Sequence, residues 1–306
     1  MFATLLGALP DPPGARLEDR IEAAVRAQEA AGFEPVTDGR LRLPRAGRPE
    51  RAWDRVPDPA EVVAAWLFIA STTDRAAKQA LPGPYSAARR FGLDPHDAAM
   101  RLREVVEALA EAGCPIVEIE ETEAHRIGAD EAERERFREA HRRLAEGISP
   151  HLTLSIVGGS AWDAGLETIV EPPYASLAVD VIAGADNWNL VTRLPGERGV
   201  IVGALPAGDS PADAREMLLF AARHAAAARG RGLARVGLGS AGSWAGLTWD
   251  QAVRKMERLG DAARLATMRG EALARSIDPR AVDARSAALG QVTPRRSRRH
   301  SRGAPD

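Results

Sequence analysis

The chain has 306 residues, 45% of them hydrophobic and 27% charged, which suits a soluble globular protein of one large or two medium domains. A formal net charge of −2 argues against general nucleic-acid binding, and no apolar run approaches the roughly 18 residues that a membrane span needs. The single cysteine, Cys114, excludes an intrachain disulfide and a cysteine-based zinc cluster, and it fits a reducing cytoplasm.

Residues 1–10 are apolar but lack a basic segment at their start, so they read as a first strand rather than a signal peptide. Prolines and Gly14 then make a turn. Residues 17–31 have helical spacing, with Leu17, Ile21, Ala24 and Val25 on one stripe that Gln28 interrupts. A second strand over 34–38 runs into the Asp38-Gly39 turn and delivers Asp38, Arg40 and Arg42 to a loop. Residues 60–73 form a helix whose Val62, Val63, Trp66 and Ile69 read as core. A third strand and its exit turn occupy 76–85, and Asp94 caps a long helix to residue 112.

The strand that follows carries an acidic pattern. In an extended chain Glu118 and Glu120 point to one face, whereas Val117, Ile119 and Glu121 point to the other. Two carboxylates on one face need a polar cavity, a cationic partner or the open end of a sheet. Glu121, Glu123 and His125 read either as a solvated loop or as a carboxylate cluster at a strand's functional end.

A charged helix over 130–147 comes next, then strands over 151–157, 175–183, 199–204 and 234–239. Helices are expected over 213–230 and from Thr248 to about residue 269. Eight apolar runs, mostly separated by helices, predict an α/β fold: one parallel (β/α)8 TIM barrel over 1–272. An open doubly wound sheet is the alternative, but no Gly-x-Gly-x-x-Gly follows the first strand. The basic residues 273–306 are expected to be a disordered, solvated tail.

Several segments together resemble the C-terminal catalytic barrel of cobalamin-independent methionine synthase, in the superfamily that includes uroporphyrinogen decarboxylase. They are residues 4–10, 28–39, 78–84, 117–121, 199–202 and 249–256, in the family's order. The resemblance implies a methyltransferase-type barrel, a folate co-substrate, and zinc on a His-x-Cys strand end, a Glu and a late Cys. Here those positions hold Leu154, Ser155 and Ile156, residues near 183–185, and the neighbourhood of Ala241 and Gly242. Zinc needs Cys, His or carboxylate donors at three or four converging positions, so a bound metal is not expected. Metal binding by His125, His151 or Glu123 would be the substitute, with His151 at the wrong end of its strand.

Where the family has a glutamate after the Asp-Gly-like turn, this chain has Arg40, and the strand-four aspartate is the longer Glu120. An arginine there favours a carboxylate or phosphate. The expected site comprises Glu120 and Glu121 as acid or base, with Asp38, Arg40, Lys78 and Tyr85 contacting substrate. The expected function is a zinc-less, cytoplasmic methyl- or one-carbon-transfer enzyme acting on a small anionic substrate. Two alternatives are a non-catalytic barrel binding a folate, pterin or acidic metabolite, and a decarboxylase-like enzyme of the same superfamily. An internal Arg40–Glu120 ion pair is the structural competitor to an anion site.

Overall fold

A computed structural model describes residues 1–44, 53–208, 213–269 and 272–273. Residues 1–267 make one unit of strands alternating with helices. The expected tail falls almost wholly outside the described residues.

Seven strands form one curled parallel sheet: β1 (Phe2–Thr4), β2 (Lys78–Pro82), β3 (Ile116–Glu121), β4 (His151–Ile156), β5 (Ser176–Asp180), β6 (Gly199–Pro206) and β7 (Val236–Ala241). Their order is β1-β7-β6-β5-β4-β3-β2, so β1 and β2 are the two edges. The helices are α1 (Leu17–Ala30), α2 (Pro59–Thr72), α3 (Pro84–Phe91), α4 (Pro95–Glu111), α5 (Glu131–Ala145), α6 (Leu166–Val170), α7 (Trp188–Arg193), α8 (Arg215–Ala227) and α9 (Trp249–Ala266). Asp58, Asp94, Asp130 and Thr248 cap α2, α4, α5 and α9 by accepting from backbone N–H groups one turn on.

The expected strand over 34–38 is not a ladder strand. It contributes one bridge, Val36 to Ala77, yet it hydrogen-bonds both edges of the sheet. Glu34 N donates to Ala3 O at 3.0 Å, Val36 N to Ala76 O at 2.9 Å, and Lys78 N to Val36 O at 3.0 Å. Beyond Val36 the backbone partner is a side chain. Gln28, the residue that breaks the apolar stripe of α1, donates from Nε2 to Thr37 O at 2.7 Å and accepts from Thr37 N at 3.0 Å. A buried polar residue on a helix thus replaces one rung of strand pairing, which satisfies both backbone groups.

The lumen is filled from below. Phe2 and Leu6 pack with Ala178 and Ile201, and β7 makes room for them with glycine. A Cβ on Gly237 would lie 2.5 Å from the Phe2 ring, and one on Gly239 2.9 Å from Leu6. Above this plug the inward positions turn polar, with Glu118, Glu120, Ser155 and Asp180 all buried.

Candidate active site

Arg40 sits in the left-handed region (φ 58°), immediately after Gly39 (φ 63°), and its N–H donates to Asp38 Oδ1 at 2.8 Å. That turn aims the guanidinium across the mouth of the barrel. Arg40 Nη2 meets Glu120 Oε2 at 2.5 Å. Deeper in, Lys78 Nζ pairs with Glu118 and donates to Leu5 O at 2.7 Å. Glu118 Oε1 has no hydrogen-bond partner, and neither has Gln79 Oε1 or Ser155 Oγ.

Two cavities of about 430 and 440 Å³ open beside this pair, and both are bounded by Gly7, Arg40 and Trp53. The first lies where pairing between 34–38 and β2 lapses, so Thr37 and Asp38 form one wall and Gln79 and Ala80 another. Among the described residues its charges balance, with Arg40, Arg42, Arg55 and Lys78 set against Asp38, Asp54, Glu61 and Glu118. The second cavity holds Glu120, Asp180, Arg90, His125 and Ser243.

Asp180 closes β5. Its Oδ1 accepts from Ile182 N at 2.9 Å and Ala183 N at 2.8 Å. Burial raises its carboxyl above the ordinary aspartate value, and those two N–H groups offset the rise only in part. The Glu120 carboxyl is also raised, because burial outweighs the attraction of Arg40 and Glu118 adds repulsion. Burial works against the Arg40 charge too, yet the charge of Glu120 and its hydrogen bond hold the guanidinium firmly protonated.

Four of the six expected site residues, Asp38, Arg40, Lys78 and Glu120, gather around the two cavities. The structure places Glu121 elsewhere. Its side chain leaves the opposite face of β3 and caps α3, accepting from Tyr85 N at 2.9 Å, Ser86 N at 2.8 Å and Ser86 Oγ. His141 Nε2 approaches the same carboxylate at 3.0 Å. Tyr85 lies behind the sheet with it, its hydroxyl donating to Glu133 at 2.6 Å and its ring against Phe137. His125 is exposed at the rim of the second cavity, and Glu123 pairs with Arg126 at 2.5 Å. His151 opens β4 and meets Ser176 at 2.9 Å.

The sequence reading did not single out Asp180, Trp53, Arg90 or Gln79. Asp180 did leave a signal, being the one charge in the apolar run from Leu177 to Ile182. Trp53, Arg90 and Gln79 carried none, because only folding brings a loop, helix α3 and strand β2 together at the cavities.

The residues present do not suit the zinc ion of the resembling family. Leu154 and Ile156 are buried apolar side chains, and Ser155 is a neutral hydroxyl opposite Glu120 in the β3–β4 register. Ala241 ends β7, and residues 183–185 offer no side-chain donor. Among the described residues, no group of three or more His, Cys, Asp or Glu side chains could hold a metal ion.

No family model and no curated protein matches the sequence. Solved structures do match the fold. A B12-independent methionine synthase from Shewanella sp. W3-18-1, in complex with selenomethionine, aligns at TM-score 0.68 and 14% identity, over 86% of this chain and 96% of that one. A putative vitamin-B12 independent methionine synthase from Listeria monocytogenes aligns at 0.61 and 15% identity, over 86% and 97%. A methyltransferase from Methanosarcina mazei aligns at 0.59 and 14%, over 86% and 93%. No helix among the described residues is long and apolar enough to cross a membrane. At fold level, this chain is a TIM-barrel-type α/β protein similar to B12-independent methionine synthases.

Proposed function

We propose that the protein is a zinc-less relative of cobalamin-independent methionine synthase that moves a methyl or other one-carbon group to or from a small anionic substrate. One observation carries the reading: two ligand-sized cavities adjoin at a single buried ion pair, Arg40–Glu120. Group transfer needs donor and acceptor held side by side, and holding them in that geometry supplies much of the rate. Fold similarity to methionine synthases and a methyltransferase supports the same class as an analogy.

The chemistry available is proton management rather than metal activation. As the acceptor atom bonds to the migrating carbon, the bond from carbon to the donor breaks with its electron pair left on the donor atom, which takes up a proton as the acceptor releases its own. Glu120 or Asp180 receives that proton, and a carboxylate with a raised pKa is the better base for it. Arg90, which is exposed at the second cavity, and the spare N–H donors of Arg40 would hold the anion. A folate is a candidate co-substrate for the other side.

A thermal-shift screen of folates, amino acids, porphyrins and small acids tests the reading. A ligand at a hundred times its Kd adds about 2.7 kcal/mol, a readily visible shift. Two ligands from different classes should give additive shifts, and an isotopic one-carbon label should pass between them. Strict competition between every pair of ligands would exclude two adjoining chambers.

A further inference from the structure

Helix α8 has two apolar faces, and the fold covers only one. Leu218, Leu219, Ala221, Ala222 and Ala225 are buried, and the helix packs against α9, β6 and β7. On its outer side Phe220 is 57% exposed and Met217 51%, the two most exposed large apolar side chains among the described residues. They lie three residues apart, and His224, four residues further on, continues the same stripe. The Phe220 and His224 rings stack with centroids 5.3 Å apart, and Trp188 of α7 meets His224 edge-on at 5.6 Å. Single exposed apolar side chains are ordinary on a protein surface. Met217, Phe220 and Trp188 joined through His224 are a connected patch, of the composition enriched at interfaces. One apolar stripe is enough to hold a surface helix on its core, so the outer stripe serves another molecule.

Charge identifies that molecule. Glu216 and Arg223, both exposed, stand about one helical turn before and after Phe220. We propose that two copies of this chain associate through α8 about a two-fold axis at Phe220, with the two helices antiparallel. Phe220 then packs on Phe220 of the second copy, and Met217 lies near His224 of the second copy. Each Glu216 falls beside Arg223 of the other copy, so the patch is complementary to itself. A parallel pair would set Glu216 against Glu216 and Arg223 against Arg223, with repulsion at both ends. A groove beside Glu216, lined by Arg254, Glu257, Arg258 and Asp261 of α9, supplies a polar rim of both signs. No residue of α8 lines either cavity at the Arg40–Glu120 pair, so association and group transfer can each fail alone.

Sedimentation velocity on the full chain over a concentration series tests this. The parent should show a monomer–dimer equilibrium with the dimer prevailing at micromolar concentration. Phe220→Asp should raise the dimer Kd at least about thirtyfold, the ratio for loss of an interface anchor, with an unchanged circular-dichroism spectrum. Glu216→Arg and Arg223→Glu leave the apolar stripe intact, and each alone should weaken the dimer several-fold. Together they should restore an affinity near that of the parent, because the exchanged charges are again complementary across the axis. A monomer at every concentration would overturn the assignment. So would a dimer that survives Phe220→Asp, or a double variant no tighter than either single one.

Discussion

Arg40 and Glu120 close on one another across the barrel mouth at 2.5 Å, with side chains only 12% and 7% exposed. This is the geometry of a partition, since Arg40 faces both cavities. Removing one partner of a buried pair leaves the other charge stranded, at a cost of about 3–5 kcal/mol. Arg40→Asn is the better variant, because asparagine tolerates the left-handed backbone at φ 58° that alanine would strain. Urea unfolding should show a loss of that size, and Arg40→Asn with Glu120→Leu should regain a large part of it. If Arg40 also anchors the anion, surviving Arg40→Asn protein should bind the anion more weakly. A variant that melts early yet binds the anion normally would confine Arg40 to structure.

Glu121 should behave as a structural residue. It satisfies three donors at the start of α3 and is fully buried with His141 against it. Glu121→Ala should cost about 3 kcal/mol or more, from lost charged hydrogen bonds and stranded N–H groups. Ligand affinity in the protein that remains folded should stay within about twofold. A variant of unchanged stability and lost transfer activity would restore Glu121 to the chemistry.

The strand period puts Glu120 and Glu121 on different faces, although both carried the same expected role as acid or base. What periodicity could not show was that the outer face also had a use for a carboxylate. That use depends on α3, which a reading of residues 76–85 as strand and turn concealed. Gly83-Pro84 begins a helix there, and a Cβ at Gly83 would collide with the Glu121 carboxylate. The seven ladder strands and five of the six longest helices were legible as apolar runs or helical spacing, whereas α5 showed in its run of charges. The brief helices α6 and α7 lack enough turns to display a stripe. The gap beside Val36 depends on the bond from Gln28 to Thr37: the broken stripe of α1 marked Gln28, but not the backbone that its amide would serve.

Asp180 should make stability pH-dependent in a specific direction. Its folded carboxyl is raised, so the folded state holds the proton more tightly than the unfolded chain does. The contribution is therefore fully present below the unfolded value and is lost as pH rises through the folded one. Asp180→Asn stays neutral and can still accept from Ile182 N and Ala183 N. Its Tm relative to the parent should rise as pH climbs from about 3.8 upward, then level off. A difference that is flat with pH would mean that Asp180 titrates alike in both states.

Cys114 should report unfolding. Burial pushes its thiol up to about 11, and the side chain is 3% exposed. The thiolate is the reactive form, so a thiol reagent at pH 8 should label the native protein at least about a hundredfold more slowly than the urea-unfolded chain. Comparable rates would mean that the start of β3 opens readily.

Gln28 offers the most direct test of how the first cavity is held. Its amide replaces a strand neighbour for Thr37, donating to Thr37 O at 2.7 Å and accepting from Thr37 N at 3.0 Å, with a further donation to Ala24 O at 3.0 Å. Gln28→Leu keeps the size of the side chain and would suit the apolar stripe of α1, so local propensity predicts gain. The tertiary argument predicts loss. Two buried backbone groups would be left without partners, which should cost about 2–4 kcal/mol in urea unfolding. Thr37 and Asp38 line the first cavity but not the second. Affinity for the ligand of the first cavity should therefore fall several-fold, while affinity for the anion of the second stays near that of the parent. Equal loss in both would mean that Gln28 supports the barrel mouth as a whole, and a stability gain would mean that residue 37 finds other partners.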